Sequence, residues 1–235
     1  MKTLTALIPF FNEERTITEL VSQLDALPKG ILAECIFVDD GSTDSSNQLL
    51  SKALAGAHFK SQIIAKANGG KASAIKEGAK TLKTTHVVIL DSDLELATSD
   101  IERLWQIVQS GENDYVFGYR AFLAHSSFTY RYSRGNQVIS NIYGILFNEI
   151  ISDIMCGYKL IPSETLQSLP YKYKHFGLEI EIPMQMWLKH LHPFEVAVAY
   201  RARTRAQGKS ISVKDAFAVI ASMVVFRITH RRAKK

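Results

Sequence analysis

Val87-Val88-Ile89-Leu90-Asp91-Ser92-Asp93 is an apolar run that ends in two carboxylates one residue apart. Consecutive branched apolar residues after the polar Thr84-Thr85-His86 predict a central strand covered on both faces. In open α/β sheets, ligands bind beyond the carboxyl ends of such strands, which is where Asp91 and Asp93 fall. Two like charges this close resist joint ionisation unless a cation offsets them, so the pair suits a hard divalent ion with oxygen ligands. Asp-Ser-Asp is also ordinary turn and helix-cap chemistry, and the surrounding loops must decide between the two.

Working outward, the same edge recurs. Thr3 to Ile8 reads as a first strand, followed by Pro9-Phe10-Phe11-Asn12-Glu13-Glu14, with Asn12 as the expected N-cap of a helix carrying Ile17, Leu20, Val21, Leu24 and Leu27. Cys35 to Val38 is a second strand, ending in Asp39-Asp40-Gly41-Ser42-Thr43-Asp44. Gln62 to Ala65 is a third, ending in Asn68-Gly69-Gly70-Lys71 ahead of a helix from Ala72 to Leu82. Beyond Asp93, the box Ser99-Asp100-Ile101-Glu102 opens a further helix, and Tyr115 to Arg120 is a fifth strand ending in a base. This strand, loop, helix alternation predicts an α/β fold with a mostly parallel sheet flanked by helices. The later half is less regular: a helical pattern from Val138 to Ile150, a helix from Leu178 to His190 and a strand at Phe194 to Tyr200. Glu179 and Glu181, two apart, do not share a helix face, so one is expected to be solvated or capping.

A chain of 235 residues with 46% hydrophobic and 22% charged residues can bury a full core in one domain. No signal peptide or membrane-length apolar run is visible, and the two cysteines, Cys35 and Cys156, form no metal or disulfide pattern, which points to a reducing cytoplasm. Charge is segregated. From Arg201 to Lys235 there are ten bases and one acid, a balance of +9, which leaves −4 on the first 200 residues of a chain whose total is +5. Such asymmetry points to an anionic partner: nucleic acid, a membrane surface or a phosphorylated substrate.

Two nucleotide fingerprints are excluded. No G-x-G-x-x-G follows the first strand, and Ala65 and Arg203 stand where a P-loop needs glycine before Gly70-Lys71 and Gly208-Lys209-Ser210. What the loops offer on one sheet edge is Asn12 and Glu13, Asp39 and Asp40, Asn68 to Lys71, and Asp91 and Asp93. An acid after the second strand can accept from a ribose or base, and a metal at the acidic pair can hold a diphosphate. Together, Ile8 to Glu13, Val38 to Asp44, Asn68 to Lys71 and Leu90 to Asp93 resemble family 2 glycosyltransferases of the GT-A (Rossmann-like) fold. Phe117 to Arg120, Ser133 to Asn136, Ser152 to Lys159, Phe176 to Glu181 and Arg205 to Ser210 are similar, in that order, to the dolichyl-phosphate mannose and glucose synthase branch.

The resemblance implies roles. Pro9, Phe11, Asn12, Glu13, Val38 and Asp40 would hold the nucleoside of a GDP-mannose or UDP-glucose donor, with Lys71 and Lys209 as further substrate contacts. Asp91 and Asp93 would coordinate Mg²⁺ or Mn²⁺ on the donor diphosphate, and Ser92 would line the sugar site. Arg120 and Arg205 would face phosphates, and Arg131 or Arg134 would meet an acceptor phosphate. Two positions depart from the pattern: Ile211 stands where the synthases carry a lysine, and Glu95 where an archaeal-type synthase offers glutamine.

The implied activity is metal-dependent, inverting transfer of a hexose to a polyprenyl (dolichyl or undecaprenyl) phosphate. An acceptor phosphate is already an anion, so no side chain need remove a proton. A saccharide hydroxyl would require a base, for which Asp153 is the candidate. A basic nucleic-acid-binding module is the alternative from another class, opposed by the acidic first 200 residues. The division expected is a GT-A domain over residues 1–213 and a basic amphipathic C-terminal helix over 214–235. That helix, too short to span a bilayer, would attach peripherally to anionic lipid at the cytoplasmic face of a membrane.

Overall fold

The computed structural model describes residues 1–120, 130–173, 177–202 and 213–230. Among these residues, seven strands form one sheet: β1 Leu4–Phe10, β2 Glu34–Asp39, β3 Ser61–Ala65, β4 His86–Ile89, β5 Val116–Arg120, β6 Lys159–Pro162 and β7 Phe194–Val198, in the order β3-β2-β1-β4-β6-β5-β7. All the pairings are parallel except those of β6, which runs antiparallel to both β4 and β5. The sequence alternation thus holds through β5, and β6 is the strand it did not anticipate. Lys159-Leu160-Ile161-Pro162 is short and carries a lysine, which hides its apolar character; yet Lys159 is only 1% exposed.

Eight helices among the described residues cover the sheet: α1 Ile17–Asp25, α2 Ser46–Leu54, α3 Lys71–Ala79, α4 Asp100–Ser110, α5 Tyr130–Phe147, α6 Ser163–Gln167, α7 Gly177–Leu188 and α8 Val213–Thr229. The strand period of two divides the interior into two cores. Leu7, Ile36, Val38, Val87, Ile89, Phe117 and Ile161 pack toward α3 and the later helices. Ala6, Ile8, Phe37, Val88, Leu90, Val116 and Leu160 pack on the opposite face with α1, α2 and α4. α8 contributes Val219, Met223 and Phe226 to the first core, so the C-terminal helix shares its packing with Tyr143, Phe147 and Trp187. Arg227 fixes it further, donating from Nε to the Leu146 carbonyl at 2.9 Å and lying over the Trp187 ring. No helix among the described residues is long and apolar enough to cross a membrane.

Three local expectations change. Asn12 is not an N-cap: α1 begins at Ile17, and Asn12, at φ 54°, turns its side chain to the next loop. Ser99 makes no capping bond. Instead the Asp100 carboxylate accepts from the Ala199 amide at 2.8 Å and from Arg103 at 3.1 Å, tying α4 to the chain beyond β7. Neither Glu179 nor Glu181 is solvated; both are buried, because each meets a donor that the helix pattern alone does not reveal.

Candidate active site

The carboxyl ends of β1, β2 and β4 lie side by side, and β1 next to β4 is where the strand order reverses, the place where open α/β sheets bind ligands. Each loop there is stitched to the next. The Asn12 amide donates to Ser42 Oγ at 3.0 Å and Asn12 Oδ1 accepts from the Thr43 amide at 2.8 Å. The Glu13 amide donates to Ser46 Oγ at 2.8 Å. Asp39 accepts from the Ser42 amide at 2.8 Å and from the Asn47 side-chain amide. Asp40 reaches the other way, accepting from the amides of Gly69 at 3.0 Å and Gly70 at 2.6 Å and pairing with Lys66 Nζ at 2.5 Å. Gly41 is required where these loops touch: its φ is +82°, and a Cβ there would lie 2.8 Å from the Asn68 nitrogen.

Of the residues expected around the nucleoside, Phe11 is exposed at the end of β1 with Asn12 and Glu13 beside it, and Pro9 is buried within the strand. Val38 does not reach the cleft. Its side chain is fully buried between β2 and α3, close against Gly78, because the pleat turns it into the core. Asp40 is at the edge, and its carboxylate already serves the β3–α3 loop.

At the end of β4, Ser92 is buried while Asp91 and Asp93 are half-exposed. Asp93 Oδ1 accepts from the Glu95 amide at 3.0 Å, and Leu94 between them has φ 59°. Asp91 is paired with Lys71 Nζ at 2.6 Å, and the same ammonium lies 2.8 Å from Glu179 Oε1. Burial pulls the Lys71 pKa down, but Asp91 and Glu179 together raise it above the ordinary lysine value. Glu179 Oε2 is buried with no hydrogen-bond partner among the described residues.

The antiparallel β6 delivers a second set of groups to this edge, since its amino end lies beside the carboxyl ends of β4 and β5. Arg120 closes β5 and forms a buried two-pronged pair with Asp153, Nε to Oδ2 at 2.6 Å and Nη2 to Oδ1 at 2.7 Å. Arg120 also lies over the Tyr200 ring, and the Tyr200 hydroxyl donates to Glu95 at 2.5 Å, linking the pair back to the loop after Asp93. Lys159 props the 153–157 loop from below, donating to the carbonyls of Ile154 at 3.0 Å and Cys156 at 2.6 Å; burial lowers its pKa. Burial pushes the neighbouring Cys156 thiol up to about 11. Gly157 leaves the space that Asp91 needs, since a Cβ there would stand 2.6 Å from Asp91 Oδ2.

Sequence reasoning therefore placed the acidic pair, Arg120 and Asp153 at one edge, but it missed Glu179, Lys159 and the reason for Gly157. Arg134 is exposed on α5. Arg205, Lys209 and the Arg131 side chain lie outside the described residues. Asp91 and Asp93 fit a hard divalent ion held in part by others. No third His, Cys, Asp or Glu joins them among the described residues.

A sequence profile described as Glycosyl transferase family 2 matches residues 5–172. An uncharacterized protein of Methanocaldococcus jannaschii is 26% identical over 191 residues, 73% of this chain and 78% of that one. Undecaprenyl-phosphate 4-deoxy-4-formamido-L-arabinose transferase of Aeromonas hydrophila is 32% identical over 114 residues, 47% of this chain and 35% of its own length. Among solved structures, glucosyl-3-phosphoglycerate synthase from Mycobacterium tuberculosis superposes with a TM-score of 0.75 at 19% identity, covering 97% of this chain and 79% of that one. The same synthase has been solved with Mn²⁺, UDP and glucosyl-3-phosphoglycerate, TM-score 0.73 at 19% identity, covering 96% and 80% of the two chains. These likenesses establish the fold, an α/β sheet of the GT-A type.

Proposed function

This chain belongs to glycosyl transferase family 2, and from that premise we propose that it moves a hexose from a nucleoside diphosphate sugar, UDP-glucose or GDP-mannose, to a polyprenyl phosphate such as undecaprenyl or dolichyl phosphate, with inversion. Membership in an enzyme family sets aside the reading as a nucleic-acid-binding module. The observation that carries the choice of acceptor is the pairing of both Asp153 oxygens with the Arg120 guanidinium. Both oxygens of that carboxylate are turned to the guanidinium, so neither is directed at an acceptor hydroxyl as a base would be. A phosphate oxygen needs no base; it attacks the anomeric carbon as the bond to the diphosphate breaks.

In this reading Phe11, Asn12, Glu13 and Asp40 border the nucleoside, and the Ser42, Asn68 and Gly69 loops hold their shape. Asp91 and Asp93 would hold Mg²⁺ or Mn²⁺, which supplies charge stabilisation to the departing diphosphate. Lys71 and Arg120 stand at the same edge, each paired with carboxylates, and Arg131, Arg134, Arg205 and Lys209 are assigned to acceptor or donor phosphates. Orientation of the acceptor phosphate without full neutralisation is the task of these bases. Attachment to the cytoplasmic face of a membrane is part of the proposal: Phe217, Val225 and Ile228 of α8 stay exposed while the helix's other side is packed, and a basic segment follows.

The test pairs each donor, with Mn²⁺ or Mg²⁺, against undecaprenyl phosphate, undecaprenol and free saccharides. Hexose is expected on the polyprenyl phosphate and not on the alcohol. Transfer to a saccharide hydroxyl alone would overturn the choice in favour of a base-requiring reaction.

A further inference from the structure

We infer that Lys71 is a built-in competitor of the divalent ion at Asp91, so that the ion enters this site together with a nucleoside diphosphate and binds poorly without one. The inference rests on the glycosyltransferase reading and adds an order of assembly to it.

Lys71 is the first residue of α3, and the two glycines before it are fixed by their amides on Asp40. The ammonium is therefore delivered to Asp91 from a backbone anchored on the nucleoside side of the cleft. It touches Asp91 at 2.6 Å and Glu179 at 2.8 Å. Opposite it the site is bounded by backbone, because a Cβ on Gly157 would fall 2.6 Å from Asp91 Oδ2 and 3.6 Å from Lys71 Nζ. One small space thus holds the carboxylate and its ammonium partner.

A divalent ion that uses Asp91 must share that carboxylate with Lys71 or displace it. Sharing sets a double positive charge beside a single one at contact distance, an unfavourable arrangement at any dielectric that a partly buried site offers. Displacement gives up the Asp91 contact, although the ammonium keeps Glu179, whose buried second oxygen has no partner among the described residues. A diphosphate changes the balance by bringing several negative oxygens, which can satisfy the ion and the ammonium at once. Metal and nucleotide then strengthen each other, and the coupling is reciprocal. A wasteful metal-loaded state without donor is disfavoured by the same contact.

The experiment titrates Mn²⁺ into the full chain, reading free Mn²⁺ by electron paramagnetic resonance, with and without UDP or GDP. Wild type is expected to bind Mn²⁺ weakly alone and at least about tenfold more tightly with the matching nucleoside diphosphate, a tenfold change being the scale of one displaced contact. Lys71→Met is expected to bind Mn²⁺ alone about tenfold more tightly than wild type, with a smaller further gain from nucleotide. Lys71→Met combined with Asp91→Asn should lose that gain. A Lys71→Met protein that binds Mn²⁺ alone no more tightly than wild type overturns the inference, as does a double variant that keeps the gain, because a general charge effect would then explain it. If Lys71→Met fails to fold, Lys71→Met with Glu179→Gln removes the stranded buried carboxylate and carries the same comparison. Absence of any nucleotide effect in wild type would remove the glycosyltransferase reading as well; a nucleotide effect with an unresponsive Lys71 variant removes only this one.

Discussion

Arg120 and Asp153, one closing β5 and the other in the loop ahead of β6, share two hydrogen bonds in a buried ion pair and a third from the Arg120 amide to Asp153 Oδ2 at 3.2 Å. Breaking such a pair by removing one partner typically costs about 3–5 kcal/mol, since the other charge is left buried. Asp153→Asn is expected to lower the melting temperature by on the order of 10 °C for a chain of this size, along with activity. A variant that loses transfer while its melting temperature and donor binding stay unchanged would instead mark Asp153 as a base. Thermal melts beside single-turnover assays separate the two.

Gly157→Ala isolates the acidic pair. The added methyl meets the outer end of the Asp91 side chain, a half-exposed carboxylate paired with Lys71 that can shift, so the fold should persist with a nearly unchanged melting temperature. Donor-dependent Mn²⁺ affinity and turnover are expected to fall about tenfold or more, as small displacements of reacting geometry are costly. Calorimetry with nucleoside diphosphate and Mn²⁺ checks it.

How much of this edge could be read from the chain depends on distance along it. Asp91 and Asp93 were legible because the strand that carries them announces its own end, and Arg120 for the same reason. Glu179 was not, because its partner Lys71 is far away in sequence and helix periodicity treats any glutamate as a surface residue. Val38 was assigned to the nucleoside by resemblance, but the pleat of β2 turns it inward. β6 escaped because Lys159 breaks an otherwise apolar run, and the carbonyls of Ile154 and Cys156, brought back by the loop, together with the Phe117 ring beneath the ammonium, make a buried lysine tolerable.

Glu181 gives a pH signature. It is fully buried; burial raises its pKa, and the Lys172 and Tyr173 amides with the Lys172 charge offset this only in part. The folded chain therefore holds the proton to higher pH than the unfolded chain, whose glutamate titrates near about 4.3. Stability is lost as pH rises from that value through the folded pKa, and no cost remains below it. Glu181→Gln, which can still accept from the Lys172 amide, is expected to melt higher than wild type at pH 8, by about 2–4 °C per kcal/mol of cost removed, with the difference vanishing near pH 4. Melting curves across pH test it.

α8 presents two faces with opposite predictions. Phe226→Ala removes a ring buried against Phe147 and should cost about 3–5 kcal/mol in a denaturant titration. Phe217→Glu with Ile228→Glu, on exposed positions, should leave stability within about 0.5 kcal/mol while reducing flotation with anionic liposomes. Unchanged flotation of that double variant would remove α8 from the membrane proposal.

The reversed direction of β6 also sets a timetable for the emerging polypeptide. The loops after β1, β2 and β3 and the acidic pair are all synthesised by Asp93, but Asp153, Gly157 and Glu179 arrive much later, and β5 waits for β7 to pair along its outer edge. A fragment ending before Asp153 carries the two carboxylates without the Gly157 loop that borders Asp91 and without the Arg120–Asp153 ion pair. The edge that carries Asp91 is therefore complete only when residues as late as Glu179 have joined the fold.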